Sequence, residues 1–235
     1  MNKVTIVLPT HNEGESIFST ISEICESIKN LNYDFKIYIS EDGSTDNTRE
    51  EVQKSIEKNS VTIELSKPSA RLGYSKAVQE SIKSSETDIF VFMDSDGQYD
   101  PKEIKDLLEN LSIGSVVCGY RNPRQDPSQR IYYSNLFKLL FEILFKIKLK
   151  DPSSPFIAAY SIDIKFIKDK VIKLDFGFWW EFQARISNKG LKVIEIPVKH
   201  RVRSSGKTQV YKFKKLPKII FTHVLGLFKL KKELN

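Results

Sequence analysis

Cysteine is scarce in this 235-residue sequence, which holds two cysteines, two methionines and two tryptophans. Cys25 and Cys118 are too few for a disulfide framework or a Cys-rich metal site, so we predict two buried apolar residues in a reducing compartment. Long apolar runs are also missing: near the C-terminus, the longest stretch without a charged residue covers the ten positions 219–228. A membrane-spanning helix needs about 20 apolar residues, so none is expected.

Acidic residues are scarce in one part of the chain only. Residues 1–129 hold 14 Lys and Arg against 22 Asp and Glu, a net charge of −8, whereas residues 130–235 hold 23 against 8, a net charge of +15. The asymmetry predicts two roles, with an anionic partner for the second part.

The first 120 residues alternate between strand and helix patterns. Apolar runs predict strands at 4–8, 36–40, 61–65, 89–93 and 115–119, and helical spacing predicts helices at 17–28, 46–58, 75–84 and 101–111. Asn12, Asp46 and Asp100 are candidate helix caps. Continuous apolar strands alternating with helices are typical of an α/β fold with a mostly parallel sheet flanked by helices.

Polar clusters follow three of these strands. Their sequences are PTHNE at 9–13, EDGSTDNT at 41–48 and DSDGQ at 94–98. Ligands bind beyond the carboxyl ends of parallel strands, so the three clusters predict one binding edge. Asp94 and Asp96 are alternate residues that share a face in extended chain. With the carbonyl of Gln98 they offer hard oxygen ligands for Mg²⁺ or Mn²⁺ held together with phosphates. The alternative is a solvated turn before Pro101.

Together the three clusters resemble the inverting family 2 glycosyltransferases, whose GT-A fold has a Rossmann-like nucleotide-binding sheet. The resemblance continues downstream in 151–156 (DPSSPF), 190–198 (GLKVIEIPV) and 201–208 (RVRSSGKT). It implies a glycosyltransferase domain at 1–212, with a nucleotide-sugar half at 1–120 and an acceptor half at 121–212. A basic amphipathic helix would follow at 213–235.

The resemblance also implies site residues. Asp42 would accept a hydrogen bond from the base, and a metal would be held by Asp94, Asp96 and Gln98. Arg71 and Gly73 could equally form an ordinary turn, and Arg203 and Lys207 could equally belong to a general basic surface. The residues implied for the nucleotide sugar are Pro9, His11, Glu13, Asp42, Arg71, Gly73, Asp94, Ser95, Asp96, Gln98, Arg203 and Lys207.

Within the family, the sequence is most similar to the dolichyl- and polyprenyl-phosphate sugar transferases. This similarity implies that Arg121, Arg130 and Ser134 hold the lipid phosphate, since guanidinium groups and a hydroxyl suit a phosphate. Surface arginines on a charged loop are the alternative. The implied catalytic residues are Asp96, Arg121, Arg130 and Glu181. Glu181 would orient the sugar or act as a base, unless it is a carboxylate on a helix surface.

The function implied is transfer of a hexose, with inversion, from a nucleotide sugar to dolichyl or polyprenyl phosphate, with GDP-mannose as the favoured donor. A phosphate acceptor needs no general base, because its oxygens are already anionic at neutral pH. One alternative is transfer, for example from UDP-glucose, to a hydroxyl of a lipid-linked glycan or polysaccharide. Another is a non-enzymatic basic module that binds membrane or nucleic acid, although no nucleic-acid recognition motif is present.

Two segments predict helices at a membrane surface. Residues 131–149 contain 13 apolar residues of 19, and 213–230 is amphipathic with many lysines. Basic amphipathic helices bind anionic lipid surfaces, so we expect a peripheral protein on the cytoplasmic face of a membrane. The alternative is that both helices pack on the protein core.

Overall fold

The computed structural model describes residues 1–68, 70–126, 128–174, 177–202 and 216–235, without the side chains of 130 and 216–220. These residues contain one seven-stranded sheet in the order β3-β2-β1-β4-β6-β5-β7. The strands are β1 Lys3–Thr10, β2 Asp34–Glu41, β3 Thr62–Leu65, β4 Ile89–Phe92, β5 Ser115–Arg121, β6 Ile157–Tyr160 and β7 Lys192–Val198.

Helices connect most of these strands. The predicted helix at 101–111 begins as a 3₁₀ turn, Pro101–Glu103, where Asp100 accepts a hydrogen bond from the backbone N–H of Lys102 (3.1 Å) as the predicted cap. A second 3₁₀ segment covers Lys165–Asp169. The α-helices are α1 Ile17–Ile28, α2 Thr48–Lys58, α3 Tyr74–Ser84, α4 Ile104–Glu109, α5 Ser128–Phe145, α6 Ser161–Ile164, α7 Phe178–Asn188 and α8 Leu216–Leu234.

The sheet is mixed but mostly parallel, as predicted. The strand pairs β1–β2, β1–β4, β2–β3 and β5–β7 are parallel. Strand β6 lies antiparallel between β4 and β5, and this strand was not predicted. It joins the two predicted halves of the chain into one sheet.

Both faces of the sheet are buried, which explains the continuous apolar strands. Along β1, Ile6 and Leu8 face one hydrophobic cluster with α1 and α4, while Val7 faces a second cluster with α3 and α7. This alternation follows from the two-residue period of a strand. Both cysteines are buried free thiols, as predicted.

A third hydrophobic cluster joins α5, α7 and α8. Its fully buried members include Phe141 of α5, Ala184 of α7 and Leu227 of α8. The predicted surface helix at 131–149 is thus found as α5, and the one at 213–230 as α8, with 213–215 outside the described residues. Within the described part of the chain, no helix combines the length and the apolar character needed to cross a membrane.

Candidate functional site

The three polar clusters meet at one edge of the sheet, as predicted. Strands β1 and β2 pair in parallel up to Thr10 opposite Glu41, and β1 and β4 pair with Val7 opposite Phe92. All three strands therefore end on the same side, and the residues that follow them lie next to one another.

Hydrogen bonds connect the first cluster to the second. The N–H of Asn12 donates to Ser44 Oγ (3.0 Å), and Asn12 Oδ1 accepts from the N–H of Thr45 (2.8 Å). Asn12 has a φ of 56°, a left-handed conformation that asparagine tolerates better than most residues. The prediction that Asn12 caps the first helix is wrong, because its side chain bonds to the second cluster and α1 begins after Ser16.

Asp46 lies just before α2 and binds its first residue, whereas the N-cap is Asn47, one residue later than predicted. Its Oδ1 accepts from the N–H of Thr48 (3.0 Å), and its Oδ2 accepts from the N–H of Gly14 (3.1 Å). Burial alone would raise the pKa of Asp46, but its hydrogen bonds with Thr48 and Gly14 outweigh burial and lower it. Asp46 thus remains charged and structural.

The residues implied for the nucleotide lie along this edge. Pro9 is buried in β1, and its carbonyl accepts from Ser95 Oγ (2.9 Å). Glu13 is half-buried and accepts from Ser16 Oγ (3.2 Å). His11 is half-buried, and its Nδ1 is a buried atom with no hydrogen-bond partner among the described residues. A buried polar atom of this kind favours a ligand at this position.

Asp42 holds the segment 71–73. Its Oδ1 accepts from the N–H groups of Leu72 (2.6 Å) and Gly73 (2.9 Å), and its Oδ2 lies 3.6 Å from Arg71 Nε. The side chain is 5% exposed. In this structure both oxygens of Asp42 serve the 71–73 segment, and the bond from Asp42 to a nucleotide base stays a prediction.

Asp94 and Asp96 lie half-buried just beyond β4, as the metal prediction requires. Burial and the neighbouring Asp96 raise the pKa of Asp94 to about 7, so the negative charge here is poorly compensated by the protein. A divalent cation would supply such compensation, since carboxylate oxygens are ligands that it prefers. Across the described ranges, no three His, Cys, Asp or Glu side chains group as a metal centre, so a cation would depend on two carboxylates and a substrate phosphate.

Gln98 lies beside Asp96 and contacts the chain after β7. Its N–H donates to Asp96 Oδ1 (3.2 Å), and its side-chain amide donates to the carbonyl of Arg201 (3.2 Å). The carbonyl of Gln98 accepts from the N–H of Arg201 (2.8 Å). The chain that leads to the predicted loop thus reaches the acidic pair, while Arg203 and Lys207 themselves lie outside the described residues.

Arg121 is not an exposed phosphate ligand in this structure. Its Nε and Nη2 donate to the two oxygens of Asp151 at 2.6 and 2.9 Å, and Nη2 also donates to Ser153 Oγ (2.7 Å). Nη1 lies 3.7 Å from Asp126. The side chain is 6% exposed and holds the segment 151–153 in place, so a role of Arg121 at an acceptor phosphate stays a prediction.

Ser134 pairs with an arginine that the sequence analysis missed. Arg124 Nη1 donates to Ser134 Oγ (3.0 Å), and its Nε and Nη2 donate to Asp126 Oδ2 at 3.0 and 2.8 Å. Arg121 and Arg124 therefore share Asp126, and Ser134 is connected to this group through Arg124. Arg130 lies on α5, and its side chain is outside the described part of the chain.

Glu181 is fully buried in α7, so both sequence interpretations of it are corrected. Its Oε1 accepts from Arg185 Nε (2.9 Å), and its Oε2 accepts from the N–H groups of Lys173 (2.6 Å) and Leu174 (3.0 Å). Burial raises the pKa of Glu181, and the Arg185 charge partly offsets this effect. A carboxylate with both oxygens bound inside the protein is neither a surface group nor a base that reaches a substrate.

Tyr74 and Trp179 were also missed. Tyr74 Oη donates to Asp94 Oδ1 (3.0 Å), and Trp179 Nε1 donates to Tyr74 Oη (2.8 Å). The position of Tyr74 directly after Gly73 was the only sequence signal, because no spacing rule connects it with a tryptophan 105 residues away.

The sequence matches a known protein family and is similar to named proteins of other organisms. Residues 5–173 match the family described as glycosyl transferase family 2. A dolichol-phosphate mannosyltransferase from Pyrococcus furiosus is 29% identical over 238 residues, which cover 98% of this chain and 64% of that protein. An undecaprenyl-phosphate 4-deoxy-4-formamido-L-arabinose transferase from Pseudomonas fluorescens is 29% identical over 58% of this chain and 40% of its own. The chain thus spans less than two thirds of the length of these relatives.

Solved structures share the fold. Glucosyl-3-phosphoglycerate synthase from Mycobacterium tuberculosis, in complex with Mn²⁺, UDP-glucose and phosphoglyceric acid, superposes with a TM-score of 0.74 at 19% identity. The alignment covers 98% of this chain and 80% of that one. The same enzyme with Mn²⁺, UDP and glucosyl-3-phosphoglycerate gives a TM-score of 0.73 at 18% identity.

Proposed function

The chain belongs to glycosyl transferase family 2, and from that premise we propose that it transfers a hexose from a nucleotide sugar to dolichyl or polyprenyl phosphate. The favoured hexose is mannose and the favoured donor is GDP-mannose, since the Pyrococcus furiosus relative is named a dolichol-phosphate mannosyltransferase. The observation that carries the proposal is the convergence of three polar clusters, with Asp94 and Asp96 among them, at the carboxyl edge of the sheet.

The acidic pair has the chemistry for a divalent cation. Asp94 and Asp96 would hold Mg²⁺ or Mn²⁺, with Gln98 beside them. When bound, such a cation neutralises the negative charge that develops on the departing nucleoside diphosphate. His11 and Glu13 lie at the same edge and would line the nucleotide, while Asp42 fixes the 71–73 segment against which the donor would lie.

A phosphate acceptor agrees with the buried state of Glu181. In a single displacement, an acceptor phosphate oxygen forms the new bond to the anomeric carbon as the bond to the nucleoside diphosphate breaks, so configuration inverts. A phosphate monoester attacks without a general base, because its second pKa is about 6. Arg124, Ser134 and Arg130 would bind the acceptor phosphate, while Arg121 fixes the surrounding loop through Asp151.

The outer faces of α5 and α8 fit a bilayer surface. Exposed apolar side chains follow helical spacing on each helix, while the opposite faces are buried in the third hydrophobic cluster. Exposed lysines, including Lys146 and Lys229, add attraction to anionic lipid. Two buried thiols agree with the cytoplasmic side. The exposed apolar residues are Tyr132, Tyr133, Leu136, Leu139 and Ile143 on α5, and Phe221, Leu225 and Phe228 on α8.

A transfer assay tests the proposed reaction. The protein is incubated with radiolabelled GDP-mannose or UDP-glucose, dolichyl phosphate and Mn²⁺ or Mg²⁺, and the lipid product is extracted and counted. Asp96→Asn should lower the rate about a thousandfold, since a catalytic cation contributes several kcal/mol and each 1.36 kcal/mol is a factor of ten. Asp106→Asn, an exposed aspartate of α4, is the matched control and should leave the rate unchanged.

The acceptor and the enzymatic nature of the protein are tested in the same assay. Transfer to a glycan hydroxyl but never to polyprenyl phosphate would establish the hydroxyl-acceptor alternative. If no donor nucleotide binds by calorimetry and no sugar is transferred, the protein is a basic binding module instead.

A vesicle assay tests the membrane face. Co-sedimentation with vesicles of phosphatidylglycerol and phosphatidylcholine should fall at least tenfold for the double variant Leu139→Glu and Ile143→Glu. The reason is that the two substitutions place two negative charges in the proposed contact with the vesicle surface. Ile162→Glu is the control, since Ile162 is 79% exposed on α6, outside the proposed face. Equal loss in both variants would contradict a specific membrane face.

A further inference from the structure

Tyr74 connects three parts of the candidate site that are far apart in sequence. It begins α3 immediately after the 71–73 segment that Asp42 holds. Its hydroxyl lies 3.0 Å from Asp94 Oδ1, beyond the end of β4, and 2.8 Å from Trp179 Nε1 in α7. One hydroxyl group thus joins the 71–73 segment, the acidic pair and α7.

The direction of this hydrogen-bond chain is determined by the chemistry of its members. An indole N–H only donates, so Tyr74 Oη accepts from Trp179. The single proton of the tyrosine hydroxyl is then left for the carboxylate of Asp94. Because the bond is made to one oxygen of a charged group, it strengthens the carboxylate form and fixes its orientation.

Trp179 is held rigidly enough to serve as the fixed end of this chain. The residue is 5% exposed, and its ring lies 5.2 Å from the ring of Phe92, 4.9 Å from Phe178 and 5.5 Å from Phe182. Phe92 is the last residue of β4, two positions before Asp94. The indole and the carboxylate are therefore placed by one packed unit, and Tyr74 spans the remaining gap.

We propose that Tyr74 is a positioning residue that orients Asp94 toward the divalent cation, with Trp179 acting through Tyr74. The inference rests on the proposed cation site. The hydrogen bond engages Oδ1 of Asp94, which would leave Oδ2 to a cation. Because Gly73 directly precedes Tyr74, the position of the 71–73 segment and the orientation of Asp94 depend on each other.

Manganese binding provides a readout that does not depend on turnover. Free Mn²⁺ is measured by electron paramagnetic resonance during titration of the full chain, with and without GDP. Removal of a partner that orients a metal ligand weakens metal affinity about 10- to 100-fold, so Tyr74→Phe should raise the Kd for Mn²⁺ by at least about tenfold. Tyr33→Phe is the matched control, because Tyr33 precedes β2 at the opposite end of the sheet.

Trp179→Phe and the double variant test whether the indole acts through Tyr74. Trp179→Phe keeps an aromatic ring against Phe92 and should weaken Mn²⁺ binding less than Tyr74→Phe does. The double variant should bind Mn²⁺ as weakly as Tyr74→Phe alone, since the two residues form one path. An unchanged far-UV circular dichroism spectrum and a urea midpoint close to that of wild type show that each variant keeps its fold.

The outcomes separate this inference from the proposed function. If wild type binds Mn²⁺ and Tyr74→Phe binds it equally well, the positioning role is refuted while the cation site stands. Additive losses in the double variant would refute the path through Tyr74. If wild type itself binds no Mn²⁺ with or without GDP, both the inference and the proposed cation site are overturned.

Discussion

Asp151→Asn removes the negative charge from the buried ion pair with Arg121. The carboxylate accepts from Arg121 Nε (2.6 Å), from Nη2 (2.9 Å) and from the Arg121 N–H (3.3 Å), and Ser153 Oγ donates to it as well (2.9 Å). The side chains of Arg121 and Asp151 are 6% and 4% exposed. Asparagine has nearly the same shape, so the substitution removes charge and one acceptor with little change in volume.

The cost can be derived in two ways. Breaking a buried pair by removing one partner costs about 3–5 kcal/mol, because the other charge remains buried. Burial alone would raise the pKa of Asp151, but the hydrogen bond and charge of Arg121 outweigh burial and lower it from 3.8 to about 2. A shift of this size corresponds to about 2 kcal/mol. Since Asp126 lies 3.7 Å from Arg121 and keeps part of the compensation, we expect a loss of about 2–4 kcal/mol.

Urea denaturation followed by far-UV circular dichroism measures this loss. At pH 7 the midpoint of Asp151→Asn should lie well below that of wild type, whereas Asp34→Asn, at the exposed first residue of β2, should leave it unchanged. The folded-state pKa of Asp151 is lowered, so its stabilisation is complete above about pH 4 and disappears as the pH falls toward about 2. The difference between wild type and variant should shrink over that range. A difference below about 0.5 kcal/mol at pH 7 would refute the reasoning, since that is the ordinary range for surface substitutions.

Two further predictions concern the attachment of α8. Gly226→Ala would place a Cβ atom 2.6 Å from the backbone oxygen of Lys173. We therefore expect the free energy of unfolding, measured by thermal unfolding, to fall by about 1–3 kcal/mol and trypsin to cleave α8 faster. An unchanged melting temperature would contradict the close contact. Glu233→Gln weakens the ion pair in which Arg185 Nη1 lies 2.8 Å from Glu233 Oε1. The free energy of unfolding should fall by about 1 kcal/mol, while the affinity for Mn²⁺ stays constant. If wild type and Glu233→Gln each have the same stability in high salt as in low salt, this ion pair does not contribute.

The sheet and its ligand-binding edge were predictable because their signals are local and agree with one another. Apolar runs buried on both faces defined the parallel strands, and each polar cluster directly follows such a run. The predicted helix 46–58 and the observed α2, Thr48–Lys58, differ by two residues at one end, as expected for helix boundaries. Strand β6 was missed although β3 and β4 are equally short, because its sequence IAAY contains two alanines and lacks the continuous apolar run of the other strands.

Glu181 shows why the chemistry of single side chains was harder to predict. Its spacing of four from Arg185 was visible in the sequence and is typical of an exposed ion pair on a helix. The fold instead buries both side chains, at 0% and 2% exposure, beneath the segment 171–174 and α8. A local pattern indicates that two residues meet; only the tertiary packing around them decides whether they can reach a substrate.

The net charge of a segment indicates its ligands only when the charged side chains that pair inside the protein are left out of the count. In the acidic part, Glu41 binds Arg49, Asp42 binds the 71–73 segment and Asp46 binds the start of α2, so these carboxylates stabilise the fold. Asp94 and Asp96 are different, because they crowd one another and the pKa of Asp94 is raised. In the basic part, Arg185 and Arg201 likewise pair with carboxylates of the chain, while exposed lysines lie beside the apolar faces of α5 and α8. The charge that remains agrees with the cation that we propose at the sheet edge and with the anionic surface that we propose beside the helices.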